Sequence, residues 1–220
     1  MGTTSGVFIT GSTGYIGSRL VPLLLNRGHR VKALLRPQSS ARRPVGCIAV
    51  PGDALQGDRY RDAVQGCDTF IHLVGVSHPS PAKAQQFRDL DGPAAMQAFR
   101  VAQETGVRHF IYLSVAHPAP VMRDYIEVRT RCEAVLRDTG LNATIVRPWY
   151  VLGPGHRWPY GLIPFYRVAE LFPATRDGAV RLGLVTIGQM LQTLVRCVEN
   201  PCEGIRILEP KDIRARADLV

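Results

Sequence analysis

The chain has 220 residues, 45% hydrophobic and 20% charged, a globular balance with enough length for one α/β domain and a full core. No apolar run approaches the ~18 residues that span a bilayer, and no charged and apolar leader opens the chain, so a cytoplasmic protein is expected. The formal net charge is +9, yet only Lys32, Lys83 and Lys211 of the 27 basic residues are lysines and no long basic run occurs, which disfavours nucleic acid and fits an anionic ligand on a generally basic surface.

The first expected strand is Val7–Thr10, followed at once by glycines and a helix from about Gly14 carrying Ile16, Leu20 and Leu24 on one apolar face. Asn26-Arg27-Gly28 stops that helix. Val31–Leu35, Cys47–Val50 and Thr69–Val74 read as the next strands, with Leu55–Gln65 helical between the last two. A Pro/Ser-rich loop, Ser77–Pro81, precedes a long helix over Ala84–Thr105 that ends at Gly106. Phe110–Leu113 and Asn142–Arg147 are the fifth and sixth strands, flanking a helix over Asp124–Asp138. Residues 149–185 are rich in Gly, Pro and aromatics, with one expected helix, Leu162–Leu171, and form a small lobe on the substrate side. Ile187–Glu199 is helical, Ile205–Leu208 is a last strand, and Lys211–Val220 reads as a frayed tail. Strands alternating with helices at these lengths predict a single α/β domain over 1–220, a Rossmann-type doubly wound parallel sheet. The cysteines Cys47, Cys67, Cys132, Cys197 and Cys202 are odd in number and include no C-x-x-C pair, so neither a disulfide framework nor a zinc site is suggested.

The segment Gly11-Ser12-Thr13-Gly14-Tyr15-Ile16-Gly17 stands at the first strand-to-helix junction with the spacing G-x-x-G-x-x-G. Gly11 allows a tight turn, Gly14 a close phosphate approach, and Gly17 helix–strand packing, so this loop is expected to cradle a dinucleotide. Arg36 follows the second strand, beside the expected adenosine ribose. An acid there would hold the ribose hydroxyls and repel a 2′-phosphate, whereas a guanidinium fork suits the phosphate. NADP(H) is therefore expected over NAD(H), with Arg42 and Arg43 adding to the field. Asp53, with Ala54 beside it, either accepts from the adenine amino group or caps the next helix; residue type alone leaves both open. Leu73-Val74-Gly75 ends the fourth strand where a cofactor would cross the sheet edge.

Thr10–Gly17, Arg36, Asp53, Leu73–Gly75, Tyr112-Leu113-Ser114, and Arg147-Pro148 with Gly153-Pro154-Gly155 together resemble the short-chain dehydrogenase/reductase superfamily over roughly residues 6–208. The likeness is to its extended and atypical branches: epimerase/dehydratase-like, NmrA-like, and the NADPH-binding accessory subunit of respiratory complex I. The resemblance implies a serine after the fifth strand and a Tyr-x-x-x-Lys on the next helix. Ser114 and Tyr125 fit, but Arg129 stands at the lysine position, and Glu133 follows one turn later. It also places Pro148 and Val151 against the cofactor, with Trp149, Tyr150, Trp158 and Tyr160 shaping the substrate pocket. Arginine can supply a cation beside a phenol and hold a ribose, but it does not release a proton as lysine can.

The expected function is NADP(H)-dependent redox chemistry on a carbonyl or alcohol of a small molecule. Tyr125 would be acid/base, Ser114 would orient the substrate oxygen, and Arg129 would hold the ribose. Two alternatives stay open: an epimerase or dehydratase on the same machinery, and a silent NAD(P)H-binding sensor or assembly subunit. A monomer or homodimer is expected.

Overall fold

Gly6–Thr10 forms β1, and all five residues are buried because helices cover both faces of the strand. Side chains alternate along it: Val7 and Ile9 enter one core layer, Phe8 the other. The computed structural model describes residues 4–76, 80–119, 121–155 and 181–215. Around β1 stand β2 (Arg30–Leu35), β3 (Ile48–Pro51), β4 (Thr69–His72), β5 (His109–Leu113), β6 (Ala143–Val146) and β9 (Ile205–Leu208). They form one seven-stranded sheet in the order β3-β2-β1-β4-β5-β6-β9, and every pairing is parallel. Two short strands, β7 (Val151–Leu152) and β8 (Val185–Thr186), pair separately.

Helix α1 (Gly17–Asn26) buries Leu20, Val21 and Leu24 on one face of the sheet, beside α6 (Ile187–Glu199), which buries Met190, Leu194 and Val198. Thr186 and Gln189 make a reciprocal capping box that starts α6. The opposite layer holds Phe8, Tyr60, Phe70, Phe99, Phe110 and Tyr112. Chain order reverses direction between β1 and β4, which opens a crevice at their carboxyl ends.

Several segments differ from expectation. The strand expected over Thr69–Val74 stops at His72, and Leu73–Gly75 leaves the sheet. The region Leu55–Gln65 is not one helix. A 3₁₀ turn, Gly57–Arg59, precedes the short α2 (Arg61–Val64), and Gly57 lies against the side chains of Gln97, Arg100 and Val101. The long helix over 84–105 is interrupted: α3 (Ala84–Gln86) passes into a π-helical turn, Phe87–Asp91, before α4 (Gly92–Glu104). Pro93 sits in the first turn of α4 and lacks the N–H that would continue the preceding ladder. The expected frayed tail is in fact helical over α7 (Pro210–Ala215). There Ile213 is fully buried and the Glu209 N–H donates to Asp212 Oδ2 at 2.9 Å. Helix α5 (Arg123–Asp138) matches its expected span within one residue. The expected helix Leu162–Leu171, with His156, Trp158 and Tyr160, lies outside the described residues, as does most of the 149–185 lobe. Cys47, Cys67, Cys132, Cys197 and Cys202 are free thiols. Among the described residues no helix is long and apolar enough to cross a membrane.

Candidate functional site

The glycine loop connects β1 to α1 and packs directly on the end of β4. Gly11 has φ +77°, and a Cβ there would come within 2.8 Å of the Leu73 carbonyl group. A Cβ on Gly17 would overlap Gly11 O and crowd Ser12 Cα at 2.7 Å. Both positions are fixed by the chain's own packing. Gly14 is different: its N–H donates to Gly11 O at 3.1 Å, and a Cβ would meet only that same oxygen, at 3.2 Å. Gly14 also lines a cleft, where a phosphate could approach the loop. Ile16 stands at the N-cap of α1 without a side-chain cap, and the first-turn N–H groups of Ser18 and Arg19 donate to Gly14 O at 3.0 Å and Ile16 O at 3.1 Å.

The cleft encloses about 790 Å³ including its open mouth. Its lining joins Gly11, Thr13 and Gly14 to Arg36, Asp53 and Ala54, and then to Leu73, Val74 and Gly75. These nine residues, expected from four separate stretches of sequence, thus meet at one place. Leu34, Ser39, Arg42, Gly52 and Leu90 complete the lining. Arg36 precedes a 3₁₀ turn, Pro37–Arg42, that buries Ser39 and brings the Arg42 guanidinium to 3.5 Å from its hydroxyl. Two guanidiniums and a hydroxyl therefore converge just beyond β2. Ser12 is buried, and its hydroxyl donates to Leu34 O at 3.4 Å, tying the glycine loop to β2. Asp53 lines the cleft, and its Oδ1 accepts from Leu55 N–H at 2.9 Å, a local turn bond; it caps no helix, because the next turn starts at Gly57 with Gln56 at its N-cap.

Tyr15, Ile16, Pro148 and Val151 are not among the residues that line this cleft. The Tyr15 hydroxyl abuts Gly153, and Arg19 covers the Tyr15 ring at 4.2 Å. Ile16 and Val151 pack on the core layer beneath α1. The Pro148 carbonyl accepts from Ala116 N–H at 3.0 Å, and Trp149 meets Tyr150 edge-on at 5.4 Å.

Tyr125, Arg129 and Glu133 occupy successive turns of α5, all on the face toward the end of β5. Tyr125 is partly exposed and packs on Phe87 at 5.0 Å between ring centroids. The Arg129 guanidinium carbon lies 5.2 Å from the Tyr125 ring centroid. Arg129 itself is 3% exposed and pairs with fully buried Asp91 at 2.8 Å. Ser114 is also buried; its hydroxyl donates to Glu133 Oε1 at 2.6 Å. Burial alone would raise the Glu133 pKa, but His117 Nε2 at 3.6 Å together with the hydrogen bonds from Arg147 and Ser114 brings it down to about 2. Arg147 reaches Glu133 with two nitrogens and Glu209 with a third, at 2.7 Å. Nearby, burial and the Arg129 charge lower the His72 pKa to about 3, so this imidazole is neutral beside Thr10 Oγ1 at 2.9 Å. Ser39 and Leu90 carried no distinguishing sequence signal. Asp91, among Arg88, Asp89 and Leu90, carries none either.

A family profile described as NAD(P)H-binding matches residues 11–157. Among curated proteins, a ceramide reductase of Caulobacter vibrioides is 26% identical over 210 residues, 94% of this chain and 65% of that protein. A 3-beta-hydroxysteroid dehydrogenase of Mycolicibacterium neoaurum is 30% identical over 112 residues, 48% of this chain and 31% of that one. The chain thus spans from under a third to just under two thirds of the length of these relatives. Among solved structures, the Bordetella bronchiseptica enzyme WbmH in complex with NAD+ superposes with a TM-score of 0.70 at 21% identity, over 94% of this chain and 76% of that one.

Proposed function

This chain belongs to the NAD(P)H-binding family, within the short-chain dehydrogenase/reductase superfamily, and from that premise we propose that it is an NADP(H)-dependent oxidoreductase acting on a carbonyl or alcohol of a small molecule. The observation that carries the cofactor reading is the convergence of Gly14, Arg36, Ser39 and Arg42 on one cleft. Two features support it: a Cβ on Gly14 would meet only Gly11 O, which leaves room on a residue that lines the cleft, and Arg36 and Arg42 line the same cleft beyond β2, where a guanidinium suits a 2′-phosphate and a carboxylate would repel it. Loop N–H groups would hold the diphosphate, Arg36 and Arg42 the 2′-phosphate, and Asp53 and Ala54 the adenine edge. When bound, the cofactor supplies or accepts the hydride.

The chain's own contribution to chemistry is a proton. Tyr125 is partly exposed, one helical turn from a buried cation, and the phenol can donate to the oxygen of a carbonyl and recover its proton from water. Ser114 acts at one remove. Its single proton is held by Glu133, so it anchors the end of β5 instead of donating to substrate.

That same commitment of Ser114 favours a second reading, a cofactor-binding protein without turnover. Incubation with NADPH and a panel of ketones and aldehydes separates the two. Oxidation of NADPH that is lost in Tyr125→Phe supports the enzyme. Thermal stabilisation by NADPH with no oxidation across the panel supports the silent binder. Calorimetric titration tests the cofactor, and NADH binding as tightly as NADPH would overturn the role given to Arg36 and Arg42.

A further inference from the structure

Arg129 is the residue in which this chain departs from the lysine of its relatives' motif, and its surroundings are built around the larger group. Nη1 donates to Leu113 O at 2.9 Å and reaches the Tyr112 hydroxyl at 3.4 Å. Nη2 donates to Val74 O at 3.2 Å and to Asp91 Oδ2 at 2.8 Å. A guanidinium has four Nη protons, and here each has a protein acceptor. The fork spans the chain just past β4 and the last residue of β5. It passes so close under Gly75 that a Cβ there would overlap Nη2.

Asp91 completes the arrangement. It is fully buried, balances the guanidinium, and accepts the Val76 N–H on its other oxygen at 2.9 Å. It ends the π-helical turn whose preceding residue, Leu90, lines the cleft beside Val74 and Gly75. π-Turns of this kind often mark functional sites. One side of the turn therefore touches the cleft, and the next residue touches the strut behind it.

We infer that Arg129 is a positioning residue: with Asp91 it fixes the Val74–Gly75 wall of the cleft against the end of β5, and it neither contacts the bound cofactor nor carries protons. This rests on the cofactor reading above. A lysine could not replace it, because one compact ammonium cannot bridge Val74 O, Leu113 O and Asp91 in the plane of a fork.

Arg129→Lys tests this directly, because it restores the lysine of the family motif. Two affinities are read by quenching of intrinsic fluorescence: NADPH, and 2′-phosphoadenosine 5′-phosphate, which lacks the nicotinamide half. A strut behind the wall weakens both by the same factor, at least about threefold, and lowers Tm by about 4 °C or more. A contact to the nicotinamide side weakens NADPH tenfold and leaves the fragment unchanged, and that result overturns the inference. So do unchanged affinities for both, which is what a remote structural role predicts. If Arg129→Lys is insoluble, Gly75→Ala carries the test, since its methyl group displaces the guanidinium. Its effects on Tm and on both affinities should largely vanish on an Arg129→Met background, and additive effects overturn the strut. If the unmodified protein binds neither ligand, the cofactor reading fails, while the thermal coupling of positions 75 and 129 still decides this one.

Discussion

Ser114 and Glu133 are joined by a 2.6 Å hydrogen bond that crosses from the end of β5 to the third turn of α5. The carboxylate is fully buried and is also gripped by Arg147. Removing its charge leaves a buried guanidinium without its main partner, at a cost of about 3 kcal/mol by analogy with other buried pairs. Glu133→Gln should therefore lower the urea midpoint sharply at pH 7. The sign with pH follows from the depressed pKa. With 4.5 as reference and about 2 when folded, the stabilisation is present above pH 4.5 and is lost as pH falls toward 2. The gap between wild type and Glu133→Gln should narrow across that window, and a gap that stays constant contradicts the assignment.

His72 and His109 give a second acid signature at higher pH. Burial is the main reason that both are neutral, with values of about 3 and about 4 when folded against 6.5 as reference. The unfolded chain binds the extra protons, so stability falls as pH drops below about 6.5, by up to ~1.4 kcal/mol per pH unit for each residue. Replacing both by glutamine should flatten the stability profile between pH 6.5 and 4. An unchanged slope in the double variant would show that other groups set it.

Two of the loop glycines, Gly14 and Gly17, should separate by phenotype. Gly17→Ala pushes a methyl group into the Gly11 and Ser12 backbone and should destabilise the fold by ~1–3 kcal/mol, seen as a lower Tm without ligand. Gly14→Ala meets only Gly11 O and otherwise fills cleft space, so it should keep Tm within a few degrees and weaken NADPH at least tenfold. Equal stability losses in the two variants would contradict this division.

Much of this was legible in the sequence, for physical reasons. A strand covered on both faces reads as a continuous apolar run, which is why β1, β5 and β6 stand out. A glycine at a strand-to-helix junction announces a backbone demand, which makes Gly11, Gly14 and Gly17 legible from residue type and position alone. The π-turn at Phe87–Asp91 is only partly legible: Pro93 marks a break in the backbone ladder, but residue type does not show that Asp91 turns inward to meet Arg129, 38 residues on. Ser114 was identified by position, but its hydroxyl direction depends on Glu133, 19 residues away. Ser39 enters the cleft only because the turn after Arg36 curls back, a conformation that Pro37 permits and does not dictate.

Arg36 and Arg42 should set cofactor choice. Arg36 is exposed, so its charge is screened and its value lies in the bidentate geometry that a phosphate offers. Arg36→Ala should weaken NADPH by roughly tenfold, about 1.4 kcal/mol, and leave NADH within twofold. The double variant with Arg42→Ala should bring the two cofactors to near parity. The NADPH preference of the unmodified protein should also shrink as salt rises, since NADPH carries the extra phosphate charge. A preference that survives both substitutions would move the 2′-phosphate contact elsewhere in the cleft.

Tyr125→Phe should remove at least 99% of carbonyl-dependent NADPH oxidation while leaving the NADPH affinity within twofold. The phenylalanine keeps the ring contact with Phe87 and the cation–π contact with Arg129, so the fold around α5 is undisturbed and Tm should hold within about 2 °C. Only the hydroxyl is lost, and general acid catalysis of this type contributes roughly 10²–10⁴-fold. Solvent deuterium should slow the unmodified protein if the phenol delivers its proton in the rate-limiting step. Residual turnover in Tyr125→Phe at the unmodified rate would place the acid elsewhere. His117 would then be the next group to replace, because it stands on the loop after β5 within 3.6 Å of Glu133 and keeps some exposure to solvent.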